Sequence, residues 1–258
     1  MNLDGDCKVL VQGIANPLGS DRARAMSAYG TNVVAGVSPG YGDTDIEGLP
    51  VFDSIDRAVA ATGTIDTSVI CTHPYQALDA AIEAIAAGIR QIIILSEGVP
   101  PLDMVRLLRK AEVTDTFVVG PSCPGIIVPG KMLLGTHPTE FYKPGPVGIV
   151  SRGGTLTYEV ALSLTRAGLG QSICVGIGGD PIVGSSFDGW LQIFDEDDRT
   201  EAMVLVGEIG GSSEEAAAEY VADAIDKPVI AYVAGRYAPR GRRLCHAGAI
   251  VAARSLDT

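Results

Sequence analysis

Short runs of consecutive apolar residues alternate along this chain with longer stretches in which alanine and other apolar residues recur every three or four positions. The runs Val9-Leu10-Val11, Asn32–Ala35, Thr67–Cys71, Ile92–Leu95 and Thr116–Val119 are strand-sized. Being apolar on successive positions, they predict strands covered on both faces, the pattern of a parallel sheet. Helical periodicity falls between them, near 20–29, 54–61, 75–87 and 101–110. This alternation predicts a doubly wound, Rossmann-like domain over residues 1–122.

The rhythm breaks after Gly120. Prolines 121, 124, 129, 138, 144 and 146 interrupt any long element, so 123–146 reads as a connection or a small hairpin. It resumes with Val147–Val150, Ser172–Val175, Met203–Val206 and Pro228–Tyr232 as strands, and helices near 154–166, 186–195 and 213–225. Residues 147–258 therefore predict a second α/β domain, flavodoxin-like, also with a mainly parallel sheet.

Composition narrows the function. The net charge of −12 over 258 residues argues against a nucleic-acid binder, which carries a basic face. No apolar run is long enough to span a membrane, and the acidic start Met1–Asp6 is the reverse of a signal peptide, so a cytoplasmic protein is expected. Five cysteines are scattered without a CxxC pair, and no metal site is expected.

Candidate chemistry lies in the loops that follow strands. Gln12–Ser20 joins the first strand to the first helix, where backbone N–H groups and the helix dipole favour a phosphate; an ordinary turn is the alternative. The glycine pattern of a dinucleotide fingerprint is absent, and no acid ends the second strand, which argues against an NAD-dependent oxidoreductase. Ser38–Asp43 and Ser96–Pro100 end two further strands at the same sheet edge, and Glu97 can accept a ligand hydrogen bond. In the second domain Ser151-Arg152-Gly153-Gly154-Thr155 follows a strand and opens a helix, a place for an anion. Glu208 stands at the end of another strand. The segment 235–249 gathers Arg236, Arg240, Arg242 and Arg243 ahead of His246, in an otherwise acidic chain. A neutral imidazole can accept a phosphoryl group there if N–H donors surround the phosphate and a carboxylate orients the ring. His73 and His137, each before a proline in a loop, read as satisfied surface histidines.

Taken together, Gly120–Gly125, Gly148–Arg152, Thr155–Glu159, Val175–Pro181, Gly207–Gly211 and His246–Ala249 resemble the alpha subunits of succinyl-CoA synthetase, the nucleoside-diphosphate-forming acid–thiol ligases. The resemblance runs from about residue 8 to residue 253. It implies that the first domain binds CoA and that the second carries a transiently phosphorylated histidine. It also implies a separate beta subunit with an ATP-grasp domain, which binds ATP or GTP with Mg²⁺. The histidine's phosphoryl group would pass to a carboxylate, and the CoA thiol would attack the acyl phosphate. By position, His246 is the implied phosphorylated residue and Glu208 its orienting carboxylate. Ser151, Arg152, Gly153, Gly154, Thr155 and Ser122 fall at the phosphate and carboxylate sites. Ala15, Asn16, Pro17, Leu18, Tyr41, Leu95, Ser96, Glu97 and Tyr158 match CoA or substrate contacts.

The chain departs from the family pattern at Ala15-Asn16 (usually Thr-Gly), Tyr41 (usually Lys), Ser122 (usually Asn), Gly153 (usually Ser) and Cys245 (usually Gly), and it is short at its C-terminus. The leading expectation is a carboxylate–CoA ligase alpha subunit acting on succinate. A non-catalytic CoA-binding or regulatory homologue, and a ligase for malate or another dicarboxylate, are the alternatives. The surface around 235–250 is expected near the beta subunit, whose nucleotide the histidine must meet.

Overall fold

The computed structural model describes residues 1–235. The arginine-rich segment from Arg236 on, with His246 and Cys245, lies outside the described residues.

The first sheet contains β1 (Val9–Gln12), β2 (Val33–Val37), β3 (Thr44–Ile46), β4 (Leu49–Phe52), β5 (Thr67–Ile70), β6 (Gln91–Ile94) and β7 (Phe117–Val119), in the order β3-β4-β2-β1-β5-β6-β7. All pairings are parallel except β3 with β4. The parallel strands thus follow the Rossmann order, and the order reverses at β1 and β5. Strands β3 and β4 escape the apolar-run reading because they are short and lie at the sheet's edge, with Pro50 exposed between Leu49 and Val51.

Helix α1 (Pro17–Tyr29) starts where Asn16 caps it and Pro17 supplies a preset φ without needing a bond for its nitrogen. It ends at Gly30, whose φ of 105° returns its N–H to the last turn. Helices α2 (Ile55–Thr62), α3 (Ala77–Ala86) and α4 (Pro101–Val113) follow. Strand alternation divides the core: Leu10, Ile70, Ile92 and Ile94 face α2, α3 and α4, whereas Val9, Val11, Val69 and Ile93 point to the opposite side. That opposite side is continuous with the core of the second domain.

The second sheet holds β8 (Gly125–Val128), β9 (Met132–Gly135), β10 (Pro144–Ser151), β11 (Gln171–Gly176), β12 (Ala202–Glu208) and β13 (Val229–Ala234), in the order β13-β12-β10-β11-β8-β9. Strands β10 to β13 are parallel in the flavodoxin-like order, reversing between β10 and β12. Helices α5 (Thr155–Arg166), α6 (Phe187–Glu196) and α7 (Ser213–Ala224) cover it. The proline-rich stretch supplies the hairpin β8–β9, with β8 antiparallel to β11. This hairpin reaches back to the first domain, where Thr31 Oγ1 donates to the Leu133 carbonyl at 2.7 Å and accepts from its N–H at 2.9 Å.

The domains meet closely elsewhere too. The Trp190 and Phe117 rings stack edge to face at 5.6 Å. Gly178, at φ 97°, lets the β11–α6 loop touch the Pro121 carbonyl, where a Cβ would sit 2.1 Å from the oxygen. Both sheets are mixed and mainly parallel, as the sequence pattern predicts. No helix among the described residues is long and apolar enough to cross a membrane.

Candidate active site

Two cavities open at the carboxyl ends of the strands. The first, of 580 Å³, lies at the switch point of the first sheet and is lined by residues that follow β1, β2 and β5 and by α3. Side chains tie these loops together. Asn16 Oδ1 accepts from Gly19 N at 2.7 Å, and its Nδ2 donates to the Cys71 carbonyl at 2.8 Å. Ser38 Oγ accepts from Ala15 N at 3.0 Å, and Ser96 Oγ donates to the Thr72 carbonyl at 2.7 Å. Four βα loops are therefore fixed to one another before any ligand arrives. Gly13, Ala15, Asn16, Ser38 and Tyr41 line the cavity. Leu95 and Ser96 are buried in its support, and Leu18 is exposed on α1. The Thr72 hydroxyl is buried on the cavity wall with no partner, a polar group that a bound ligand can satisfy.

The second cavity, of 470 Å³, lies between the domains. Glu97, Ser122 and Cys123 face Gly153, Gly154, Thr155, Leu156, Tyr158 and Glu208 across it. The N-terminus of α5 opens onto it, so backbone N–H groups and the helix dipole favour a negative group there. A Cβ on Gly153 would meet nothing within 4 Å, which leaves space in the cavity at that position. Ser122, held at φ 55°, donates its hydroxyl to Asp180 Oδ2 at 2.8 Å.

Ser151 and Arg152 do not line this cavity; Ser151 is buried behind it, and Arg152, largely buried, lines a separate cavity of 400 Å³ with Asp180 and Ser213. Ser151 Oγ accepts from Gly153 N at 3.2 Å and lies 2.6 Å from Thr157 Oγ1, which also touches the Gly153 carbonyl. Arg152 Nη1 donates to the Gly210 carbonyl at 2.8 Å and to Glu214 Oε1 at 3.1 Å. The same Glu214 oxygen accepts from the Glu208 N–H at 3.0 Å. The guanidinium thus fixes the loop that presents Glu208, and its charge is matched inside the protein by a carboxylate.

Behind Tyr158 lies a buried polar cluster. His137 Nε2 donates to the Gly125 carbonyl at 3.1 Å, which leaves Nδ1 to accept from the Tyr142 hydroxyl at 2.7 Å. Burial lowers the His137 pKa to about 4, so the ring is neutral. Burial also raises the pKa of the Tyr158 hydroxyl, and it pushes the thiols of Cys71, Cys123 and Cys174 up to about 12. None of these thiols is an activated nucleophile in this setting. His137 is a core residue; His73 instead lines the first cavity, with its Nδ1 accepting from Tyr75 N at 3.4 Å.

Sequence reading passed over Thr72, Gln76, Asp79 and Glu83, which also line the first cavity, and gave His73, another lining residue, no functional role. Their signal was position alone: they follow β5, the strand at which the sheet order reverses. Arg22 was passed over as well. Its Nε is buried without a partner, and its charge acts on both the Cys71 thiol and the Tyr158 hydroxyl.

Two family models match the two domains: a CoA binding domain over residues 4–98 and a CoA-ligase domain over residues 150–257. Fold and cavities together therefore define a protein of the CoA-ligase class. The chain is 46% identical over 249 residues to subunit alpha 1 of the ADP-forming succinate–CoA ligase of Archaeoglobus fulgidus, covering 96% of this chain and 85% of that protein. It is 48% identical to the corresponding Aquifex aeolicus subunit, covering 95% and 81%. Against the malate–CoA ligase alpha subunit of Methylorubrum extorquens it is 47% identical, covering 97% and 86%. The chain belongs to the succinate–CoA ligase alpha-subunit family. Its fold also matches an ATP citrate lyase from Methanothrix soehngenii, solved with citrate and coenzyme A, at a TM-score of 0.86 and 24% identity. That match covers 96% of this chain but 44% of the lyase chain.

Proposed function

We propose that this chain is the alpha subunit of a nucleotide-dependent carboxylate–CoA ligase that acts on succinate. The observation that carries the proposal is the second cavity, where Glu208 and the N-terminus of α5 from one domain face Glu97 and Ser122 from the other. CoA supplies the thiol nucleophile. Gly13, Ala15, Asn16, Ser38 and Tyr41 would hold its nucleotide end in the first cavity, and Tyr158 and Glu97 flank the path of its thiol end in the second.

The phosphoryl group enters through His246. A beta subunit with an ATP-grasp domain binds ATP or GTP with Mg²⁺, and the imidazole nitrogen of His246 takes the γ-phosphoryl group as the nucleoside diphosphate leaves. Glu208 orients the ring through its other nitrogen. The N–H groups of Gly154 and Thr155 receive the phosphate oxygens, while Ser151, which accepts from Gly153 N, and Arg152 hold that turn and the Glu208 loop in place. A succinate carboxylate oxygen then takes the phosphoryl group from the histidine, giving an acyl phosphate. The CoA thiolate attacks its carbonyl carbon, inorganic phosphate departs and the thioester remains. Buried, free thiols at Cys7, Cys71, Cys123 and Cys174 accord with a reducing, cytoplasmic setting.

The test is intact mass after incubation with the cognate beta subunit, Mg²⁺ and ATP or GTP. One acid-labile phosphoryl group, absent in His246→Asn, is expected, and succinate with CoA should discharge it. A bound, otherwise active beta subunit that leaves the chain unphosphorylated would refute the proposal. Malate is the second acid to assay, because a malate–CoA ligase alpha subunit is about as similar to this chain as the succinate–CoA ligase alpha subunits are.

A further inference from the structure

The first cavity is bordered by acid. Asp79 and Glu83 line it from α3, and neither lysine nor arginine is among its described lining residues; His73 is the base present. Glu83 is fixed there by accepting from Ile55 N at 2.8 Å. The glycine loop over the cavity carries an anion of its own. Gly40 N and Gly42 N, adjacent donors of the kind that cradle a phosphate, both donate to Asp53 Oδ1, at 2.8 and 3.1 Å. These two bonds hold the Asp53 carboxyl below its ordinary pKa, so the loop's donors are taken by an ionised side chain. Gly42 is required for that contact, since a Cβ there would lie 2.3 Å from Asp53 Oδ2.

Nucleotides bind at the switch point of such a sheet, and the thiol of CoA must reach the second cavity, beside Glu208. The adenosine end therefore occupies the first cavity, and this orientation rests on the CoA reading given above. Its 3′-phosphate, a dianion near neutral pH, then meets Asp79 and Glu83 with no lysine or arginine among the described lining residues to offset them, while Asp53 behind the glycine loop is already paired with Arg57 Nη1 at 3.5 Å. We propose that the cavity reads the adenosine end of CoA without reading its 3′-phosphate, so that dephospho-CoA is a substrate equivalent to CoA. Attraction to the site comes from its hydroxyls and apolar walls, while the 3′-phosphate stays in solvent, where ions screen it from the acids.

The experiment compares CoA with dephospho-CoA on the complex of this chain with its beta subunit, by KM in thioester formation and by direct binding. The two values are expected to agree within about threefold at physiological salt. Tyr41 is exposed at the rim, so Tyr41→Lys places a cation there without disturbing the core. This variant should raise the preference for CoA over dephospho-CoA by about fivefold, whatever loss of the Tyr41 ring does to both. A wild-type preference for CoA above about threefold overturns the inference, as does a Tyr41→Lys variant that still fails to distinguish the two. Those results leave CoA binding itself intact. A complex that binds neither compound would instead overturn the CoA reading, and this inference with it.

Discussion

Ser122 donates its hydroxyl to Asp180 Oδ2 at 2.8 Å and thereby joins the end of the first domain to the β11–α6 loop of the second. Ser122 lines the second cavity and Asp180 lines a separate cavity of 400 Å³, so the bond ties together the wall between them. Ser122→Ala removes the donor and leaves a partly buried carboxylate unpaired. A loss of about 1–2 kcal/mol is expected, read as a lower urea midpoint at unchanged slope. The KM for the acid substrate should rise in the same variant.

Glu208→Gln tests the proposed orienting carboxylate. The amide preserves size but not charge, and the imidazole then lacks its anionic partner. Phosphorylation of His246 should slow by about 10²-fold or more, with the overall fold unchanged by circular dichroism. A rate equal to that of the wild type would remove Glu208 from the mechanism.

Gly153→Ser probes the open space at the head of α5. Nothing lies within 4 Å of the added Cβ, so stability should change by less than about 0.5 kcal/mol. The new hydroxyl enters the cavity beside Thr155 and should alter the KM for succinate or malate while CoA affinity stays constant.

His137 makes stability depend on pH. Its folded pKa of about 4 lies below the ordinary 6.5, because burial disfavours the charged ring. Between those values the unfolded chain binds the proton and the folded one does not. The contribution is therefore complete above the unfolded pKa and is lost as pH falls toward 4, with about 2 kcal/mol gone at pH 5. His137→Gln should remove this slope, measured as the difference in urea stability between pH 7 and pH 5.

Asn16 links the start of α1 to the carbonyl at the end of β5. Asn16→Ala deletes both the cap and that link, at a cost of about 1–2 kcal/mol in thermal or urea unfolding. CoA affinity should fall as well, since Gly13 and Ala15 lose the contact that holds their loop.

Much of this was legible along the chain because the signals are local. Continuous apolar runs such as Ile92–Leu95, spaced by amphipathic helices, specify buried parallel strands whatever the neighbouring sequence, and they gave both domains. The glycine loops after those strands marked both cavities, because a parallel sheet gathers its binding loops at the carboxyl ends of its strands. What each side chain does there was not local. Arg152 reads in sequence as a charge offered to an anion, yet the fold brings Glu214, 62 positions away, to neutralise it. Ser38–Asp43 reads in sequence as a loop at the ligand edge of the sheet, and only the approach of Asp53 takes the N–H groups of Gly40 and Gly42. His137 resembles any loop histidine until Tyr142 and the Gly125 carbonyl close around it. Periodicity and turn chemistry act over a few residues, so the sequence by itself determined most of the elements, their class and the sheet edge at which the cavities open. Desolvation and charge pairing depend on which groups meet across the fold, so only the tertiary structure decided which polar groups face the cavities and which are consumed in holding them.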